Sequence, residues 1–346
     1  MIKGGANGWL IIDNDHNVWT CSDATMTKEH IASIVDAGVG YNASFFVDED
    51  GQIYIKGSWF HEIDKKEKFL IPKVFPLVET KMRSVLVSHT GAVLFIDYDG
   101  AVWGCGTNNF GQLGLGHTSK VATPTRIPVL SEITDIKSGE HHTLFLDENK
   151  QVWGCGYNQE GQLGLPLSRG SIRTPIKLEI PCQEVQKIAG GYDSFFLDTE
   201  GSVYSCGWNF HAQLGLSHKN IVSAPEKVEL PTIEFIAAGY LHALFLDVDG
   251  KVWSSGNNSC GQTGRGLSDT QQHFLGIIPT LPRIVAIYAG YQSSFFVDET
   301  LCIWACGKLG VKRMEHLPVP IEFPASFVPR NHFGIRTKSA RFSSRT

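Results

Sequence analysis

The chain lacks every short motif that would mark a familiar catalytic or metal centre. No Cys-x-x-Cys pair occurs among its eight cysteines, so a metal-binding reading of them fails. Gly-x-Ser-x-Gly, Walker-type and His-Glu-x-x-His phrases are missing. No apolar run approaches the length of a membrane span. The first seven residues, Met1-Ile2-Lys3-Gly4-Gly5-Ala6-Asn7, hold no signal-peptide apolar core. These absences predict an intracellular protein, cytoplasmic or nuclear, with no cofactor, no metal and no membrane contact. Charge is sparse on one side as well. The net charge is −5, and residues 330–346 carry Arg330, Arg336, Lys338, Arg341 and Arg345 without one acid. That leaves −10 on the rest, a poor body for binding DNA.

What is present is repetition. Asp99-Gly100-Ala101-Val102-Trp103-Gly104-Cys105-Gly106 leads into Gly111-Gln112-Leu113-Gly114. Related phrases follow from Val152, Val203 and Val252. The aromatic residue of this unit falls at 54, 103, 153, 204, 253 and 304, with spacings of 49, 50, 51, 49 and 51. A fixed period near fifty marks a solenoid or a propeller. Before each aromatic stands a second phrase, such as Gly139-Glu140-His141-His142-Thr143-Leu144-Phe145-Leu146-Asp147. Apolar strand, Asp/Gly/Asn turn and Val-Trp strand together predict a β-hairpin. Seven hairpins result, ending at Trp19, Tyr54, Trp103, Trp153, Tyr204, Trp253 and Trp304.

Cys21, Cys105, Cys155, Cys206 and Cys306 share one repeat position, which Ser255 also fills. A position open to Cys or Ser reads as a small buried strand site, not half of a bridge. The recurring aromatics read as packing. Gly111-Gln112-Leu113-Gly114-Leu115-Gly116 only superficially resembles a phosphate loop, because it repeats and no helix clearly follows. Glu62 to Lys68 reads as a solvated loop, and Thr27 to Val35 as a short strand or one helical turn.

Gly-x-x-His-(Ser/Thr), Asp-Gly-x-Val-Trp and Gly-x-Asn-x-x-Gly-Gln-Leu-Gly, in that order, resemble the regulator of chromosome condensation repeat family over residues 5–323. The resemblance implies an all-β, seven-bladed propeller over residues 1–329, with 330–346 as a mobile basic tail. Each linker holds a Pro before apolar residues, as at Pro124, Pro175 and Pro225, which suits an outer edge strand. Ring closure is expected through Val319 to Phe323 pairing onto the Trp9–Trp19 hairpin.

In such a ring the Gly-x-x-(His/Ser) loops crowd one mouth of the channel. Their variable residues form the expected partner face: Tyr41, Asn42, Glu140, His141, Tyr192, Asp193, Tyr240, Leu241, Tyr291 and Gln292. Tyr suits protein recognition. His142 and His242 read as structural loop histidines. Tyr157 and Trp208 form a second aromatic patch or shield adjacent blades. A light-sensing role for the tryptophans, as in the family's plant ultraviolet-B photoreceptor, is excluded because the Gly-Trp-Arg-His-Thr phrase is missing.

The resemblance implies a protein-interaction propeller, monomeric, acting as a guanine-nucleotide exchange factor for a Ran-like small GTPase. A non-catalytic scaffold and a chromatin-docking protein working through the tail are the alternatives. The family's Ran exchange factor carries a wedge-like β insertion, and the even periods leave no room here for a large one.

Overall fold

Asp97 and Trp103 recur together because one carboxylate fixes both the turn and the next strand. Oδ1 of Asp97 accepts the backbone N–H groups of Asp99 at 3.0 Å and Ala101 at 2.8 Å. Oδ2 accepts the indole N–H of Trp103 at 2.9 Å. The same indole bond joins Trp19 to Asp13, Trp153 to Asp147, Trp253 to Asp247 and Trp304 to Asp298. In the second unit the Tyr54 hydroxyl replaces the indole, donating to Asp48 at 3.0 Å. The recurring aromatics are therefore structural, as the sequence predicts.

The computed structural model describes residues 2–322, apart from 5–8, 23–24, 41–42, 63–64, 76–79, 168–170, 267–273 and 311–312. These residues build seven four-stranded antiparallel sheets, the blades of a propeller. Blade 3 is typical, running Met82–Val87, Ala92–Asp97, Val102–Gly106 and Val121–Arg126 in spatial order. The first strands line a central channel of about 550 Å³. The second strands are buried along their whole length, for example His142–Asp147 and Ser293–Asp298. That explains why they read as continuous apolar runs, not as alternating ones. Their phenylalanines meet between blades: the Phe45 and Phe95 rings lie 6.0 Å apart, and Phe195 and Phe245 lie 5.9 Å apart, both edge to face. Fully burying such a side chain contributes about 1.5–3 kcal/mol.

The Gly-Gln-Leu-Gly loops fasten neighbouring blades. Asn108 Oδ1 accepts the N–H of Leu113, closing the loop at 3.0 Å. Gly114 has φ +71°, and a Cβ there would fall 2.8 Å from Pro175 on the outer strand of the next blade. The carbonyl of Gln112 accepts from the Cys155 thiol at 3.4 Å, and that of Gln213 accepts from the Ser255 hydroxyl at 2.9 Å. Cys and Ser alternate at this position because each can donate that inter-blade bond. Pro124, Pro175, Pro225 and Pro318 all lie on outer strands, as predicted.

Three details differ from the sequence expectation. The closing strand is not exchanged between the chain's ends. Met314–Pro320 pairs with Ile303–Lys308 inside blade 7, with Val319 opposite Ala305. Ile2–Gly4 and Thr25–Lys28 flank the Trp9–Trp19 hairpin, so blade 1 already has its four strands. Blades 1 and 7 close the ring by packing, with the Trp9 and Phe295 rings 5.0 Å apart and Ile2 and Ile11 beside Val297. Second, Glu62 to Lys68 is not a plain loop. Ile53–Glu62 and Lys65–Val74 form a hairpin of ten-residue strands, against five residues for Val102–Gly106. Its register sets Trp59 opposite Glu67 and Glu62 opposite Lys65, so most of the charged run lies in strands. Third, this extension needs no longer period, because it stands where other blades have their Gly-Gln-Leu-Gly loop.

Candidate functional site

The loops after the inner strands are joined backbone to backbone around one mouth. The N–H of Glu140 donates to Gly191 O at 2.9 Å, Tyr192 N–H to Tyr240 O at 2.9 Å, and Tyr240 N–H to Tyr291 O at 3.1 Å. The Thr90 hydroxyl donates to Glu140 O at 2.7 Å. In three of these loops the next carbonyl is also held. His141 O, Leu241 O and Gln292 O accept from the N–H groups of Tyr157, Asn257 and Lys308. The backbone is thus preorganised, and the side chains vary on a rigid frame.

Those side chains form a continuous aromatic row. His89 stacks on Tyr291 at 3.9 Å, and Tyr291 stacks on Tyr240 at 4.3 Å. Tyr240 meets Tyr192 edge to face at 5.7 Å, Tyr192 meets Trp208 at 5.4 Å, and Trp208 meets Phe210 at 5.1 Å. A second group joins Phe110 to His141 at 4.4 Å and to Tyr157 at 5.3 Å. Phe210 is 54 % exposed, and the other rings are half-buried. Tyr157 and Trp208 therefore do not form a patch of their own, because each continues the mouth surface.

Most of the predicted residues meet here: Glu140, His141, Tyr192, Tyr240, Leu241, Tyr291 and Gln292 are half-buried at the mouth. Tyr41 and Asn42 lie outside the described residues. Asp193 is a correction. It is 1 % exposed, so it cannot touch a partner. It occupies the place of the repeat histidine, whose role explains the substitution. His142 Nε2 lies 2.8 Å from Ser194 Oγ of the next blade, and Ser194 in turn donates to Gln162 O. His242 and Ser294 repeat the clasp at 2.9 Å. Opposite Asp193 the next blade has Ala243, which has no hydroxyl for a histidine to reach. Burial pushes the Asp193 carboxyl well above the usual range. His89, Phe110 and Phe210 are mouth residues that the sequence pattern did not single out.

Electrostatics divide the mouth into neutral histidines and strained acids. Burial lowers His141, and lowers His89 to about 4. Burial raises Glu140, which the Tyr240 hydroxyl partly offsets. Beneath the surface, burial lowers His142 to about 3 and His242 to about 4. Such groups favour the neutral fold, so their contribution is present above the unfolded value near 6.5 and is lost as pH falls through the window below it. Asp193 acts in the opposite sense, since the fold favours its protonated form. The pH 7 to pH 5 loss in urea stability should shrink by about 2 kcal/mol in His242→Asn. An unchanged slope would show that His242 is not held neutral. Among the described residues no group of His, Cys, Asp and Glu is placed to hold a metal.

Seven sheets that meander outward from the channel, fastened by Asp–Trp turns and His–Ser clasps, define a repeat propeller with an aromatic mouth. A model of the RCC1-like domain matches residues 87–327, so this chain belongs to the RCC1-like domain family. Protein RCC2 of Homo sapiens is 28% identical over 276 residues, 68% of this chain and 52% of that protein. Ultraviolet-B receptor UVR8 of Arabidopsis thaliana is 27% identical over 228 residues, 62% of this chain and 50% of that one. The chain spans about half the length of these two relatives. The fold superposes on Prp20p of Saccharomyces cerevisiae with a TM-score of 0.73 at 23% identity, covering 85% of this chain and 80% of that one. That structure's description concerns the binding of Prp20p to Gsp1p and histones. No helix among the described residues is long and apolar enough to cross a membrane.

Proposed function

We propose that this propeller, working as a single intracellular chain, docks a Ran-like small GTPase on its aromatic mouth and speeds release of bound guanine nucleotide. The observation that carries this reading is the pairing of mouth and hairpin on one face. Gly57 pairs with Ala43, as Gly106 pairs with Ala92 and Gly156 with His142, and those pairs lie at the mouth end of each blade. The strand continues past Gly57 to Glu62. At roughly 3.3 Å per residue the ribbon stands about 16 Å beyond the blade. A docking face with a projecting ribbon beside it suits a protein that must both hold a GTPase and disturb its nucleotide site.

Exchange of this kind needs no catalytic acid or base. It needs tighter binding to the nucleotide-free GTPase than to the loaded one. Family membership and the partners described for Prp20p support the choice of GTPase. The test is release of labelled GDP from a panel of small GTPases, Ran first. A hundredfold acceleration for one member requires about 2.7 kcal/mol of differential binding and is the expected result. Saturable binding without release would move the reading to a scaffold. Salt-sensitive nucleosome binding lost with residues 330–346 would move it to chromatin docking.

A further inference from the structure

Blades 3 and 4 differ from the others on their outer edges. From Gly111 to Ser131 and from Gly161 to Leu178, the loop and outer strand of each blade, the chain holds Lys120, Arg126, Arg169, Arg173 and Lys177 and not one Asp or Glu. The corresponding stretch of every other blade holds an acid: Glu29, Glu67, Glu226, Asp269 and Glu315 in blades 1, 2, 5, 6 and 7. Three of those acids neutralise a neighbour, Glu29 taking Lys56, Glu226 His218 and Glu315 Arg313. Arg126, Arg173 and Lys177 are exposed, and their side chains form no ion pair or hydrogen bond among the described residues.

The register brings these cations onto one strip. Arg126 stands opposite Trp103 and Lys177 opposite Trp153, so the two hold the same height on adjacent blades. Arg173 stands nearer the mouth, beside Ile172, which pairs with Gly156. There the N–H of Gly116 donates to Arg173 O at 2.9 Å, so the acid-free loop of blade 3 bridges the two edges. Ile176, 37 % exposed, lies between Arg173 and Lys177 in sequence, and Val129, 46 % exposed, follows Arg126 by three residues. An outer strand invites another strand, but Pro124 and Pro175 each remove an N–H from the middle of theirs. This edge therefore offers side chains, not a backbone ladder.

We infer that the double edge docks a short acidic segment of a partner protein, with carboxylates on Arg126, Arg173 and Lys177 and an apolar side chain on Ile176. The guanidinium fork matches a carboxylate at two points. A nucleic acid duplex fits less well. It would run past the strip onto a ring whose net charge is −10, the chain's −5 less the +5 of residues 330–346. It would also leave Ile176 and Val129 without an apolar partner. The inference is independent of the mouth and of nucleotide exchange.

The probes are a capped Glu-Glu-Leu-Glu-Glu peptide, its Lys-Lys-Leu-Lys-Lys counterpart and a short DNA duplex, titrated into the full chain at low salt. Two triple variants remove the same charge from exposed sites. Arg126→Gln/Arg173→Gln/Lys177→Gln empties the strip, and Lys81→Gln/Lys227→Gln/Lys251→Gln spares it. Surface changes of this kind leave the fold intact, which circular dichroism checks. The acidic peptide should bind, more weakly as salt rises, and the basic one should not. The strip variant should lose about tenfold in affinity and the control less than about twofold. Equal losses in the two variants would reduce the effect to net charge and overturn the strip. Binding of the basic peptide as tight as that of the acidic one would do the same. A duplex that displaces the acidic peptide, and itself weakens in the strip variant, would overturn the protein partner in favour of a phosphate backbone. Nucleotide release in the GTPase assay bears on none of these outcomes.

Discussion

Gly191→Ala is expected to lower stability by about 3 kcal/mol or more, the largest effect of any single methyl group at the mouth. The added Cβ would fall 1.9 Å from the carbonyl oxygen of Gly239. That atom is backbone in the next blade, so no side chain can swing aside to relieve the clash. Moving it disturbs two inter-blade bonds at once, Glu140 N–H to Gly191 O and Tyr192 N–H to Tyr240 O. Overpacking costs roughly 1–3 kcal/mol, and each lost buried bond adds about 1 kcal/mol. Gly116→Ala is the control. Gly116 has φ +84°, and a Cβ added there would have nothing within 4 Å, so only backbone strain of about 1–2 kcal/mol should appear. Urea titration of both variants separates clash from strain. Equal losses would show that the mouth is not fixed by close backbone contact.

How much of this was visible in the sequence depends on the range of the interaction. The hairpins were legible because each is local: Asp147 and Trp153 are six residues apart and bond directly. The Cys/Ser position was legible as small and buried, although its donor role to a loop carbonyl some 42 to 44 residues earlier was not. The mouth was legible as a set of variable residues, since Glu140, Tyr240 and Tyr291 share a place in the repeat. Their stacking was not, because it depends on how neighbouring blades are turned toward each other. His89 escaped notice since Ser88-His89-Thr90-Gly91 lacks the leading Gly of the other copies. Ile2–Gly4 escaped because three residues carry no period. Asp193 was misplaced for a subtler reason. It replaces a histidine whose partner hydroxyl is missing in the next blade, a pairing visible only once Ser194 and Ala243 are known to be equivalent. The long hairpin was hidden by its charge, since Lys65, Lys66, Glu67 and Lys68 suggest solvent rather than a strand.

That hairpin gives the sharpest division between holding a GTPase and acting on it. Residues 59–67 can be replaced by Asn-Gly, a two-residue turn that joins Ser58 to Lys68, which already pair. The fold should survive with a stability change under about 1 kcal/mol, because a lone two-stranded ribbon adds little in water. If the mouth is the docking face, as proposed, binding to the GTPase should fall less than about tenfold. Under the proposed exchange role, nucleotide release should fall about a hundredfold, because the ribbon is the element assigned there to disturb the nucleotide site. Tyr240→Ala should show the opposite division. Truncating a central aromatic typically costs about 2 kcal/mol or more, so binding should weaken about thirtyfold or further. At saturating propeller its release rate should approach that of the unaltered protein. If shortening the hairpin leaves release intact, the mouth alone performs exchange. If it abolishes binding altogether, the ribbon is the principal docking element and the aromatic mouth a support for it. Only the first division, binding kept and release lost, fits a propeller that grips with its rings and works through its ribbon.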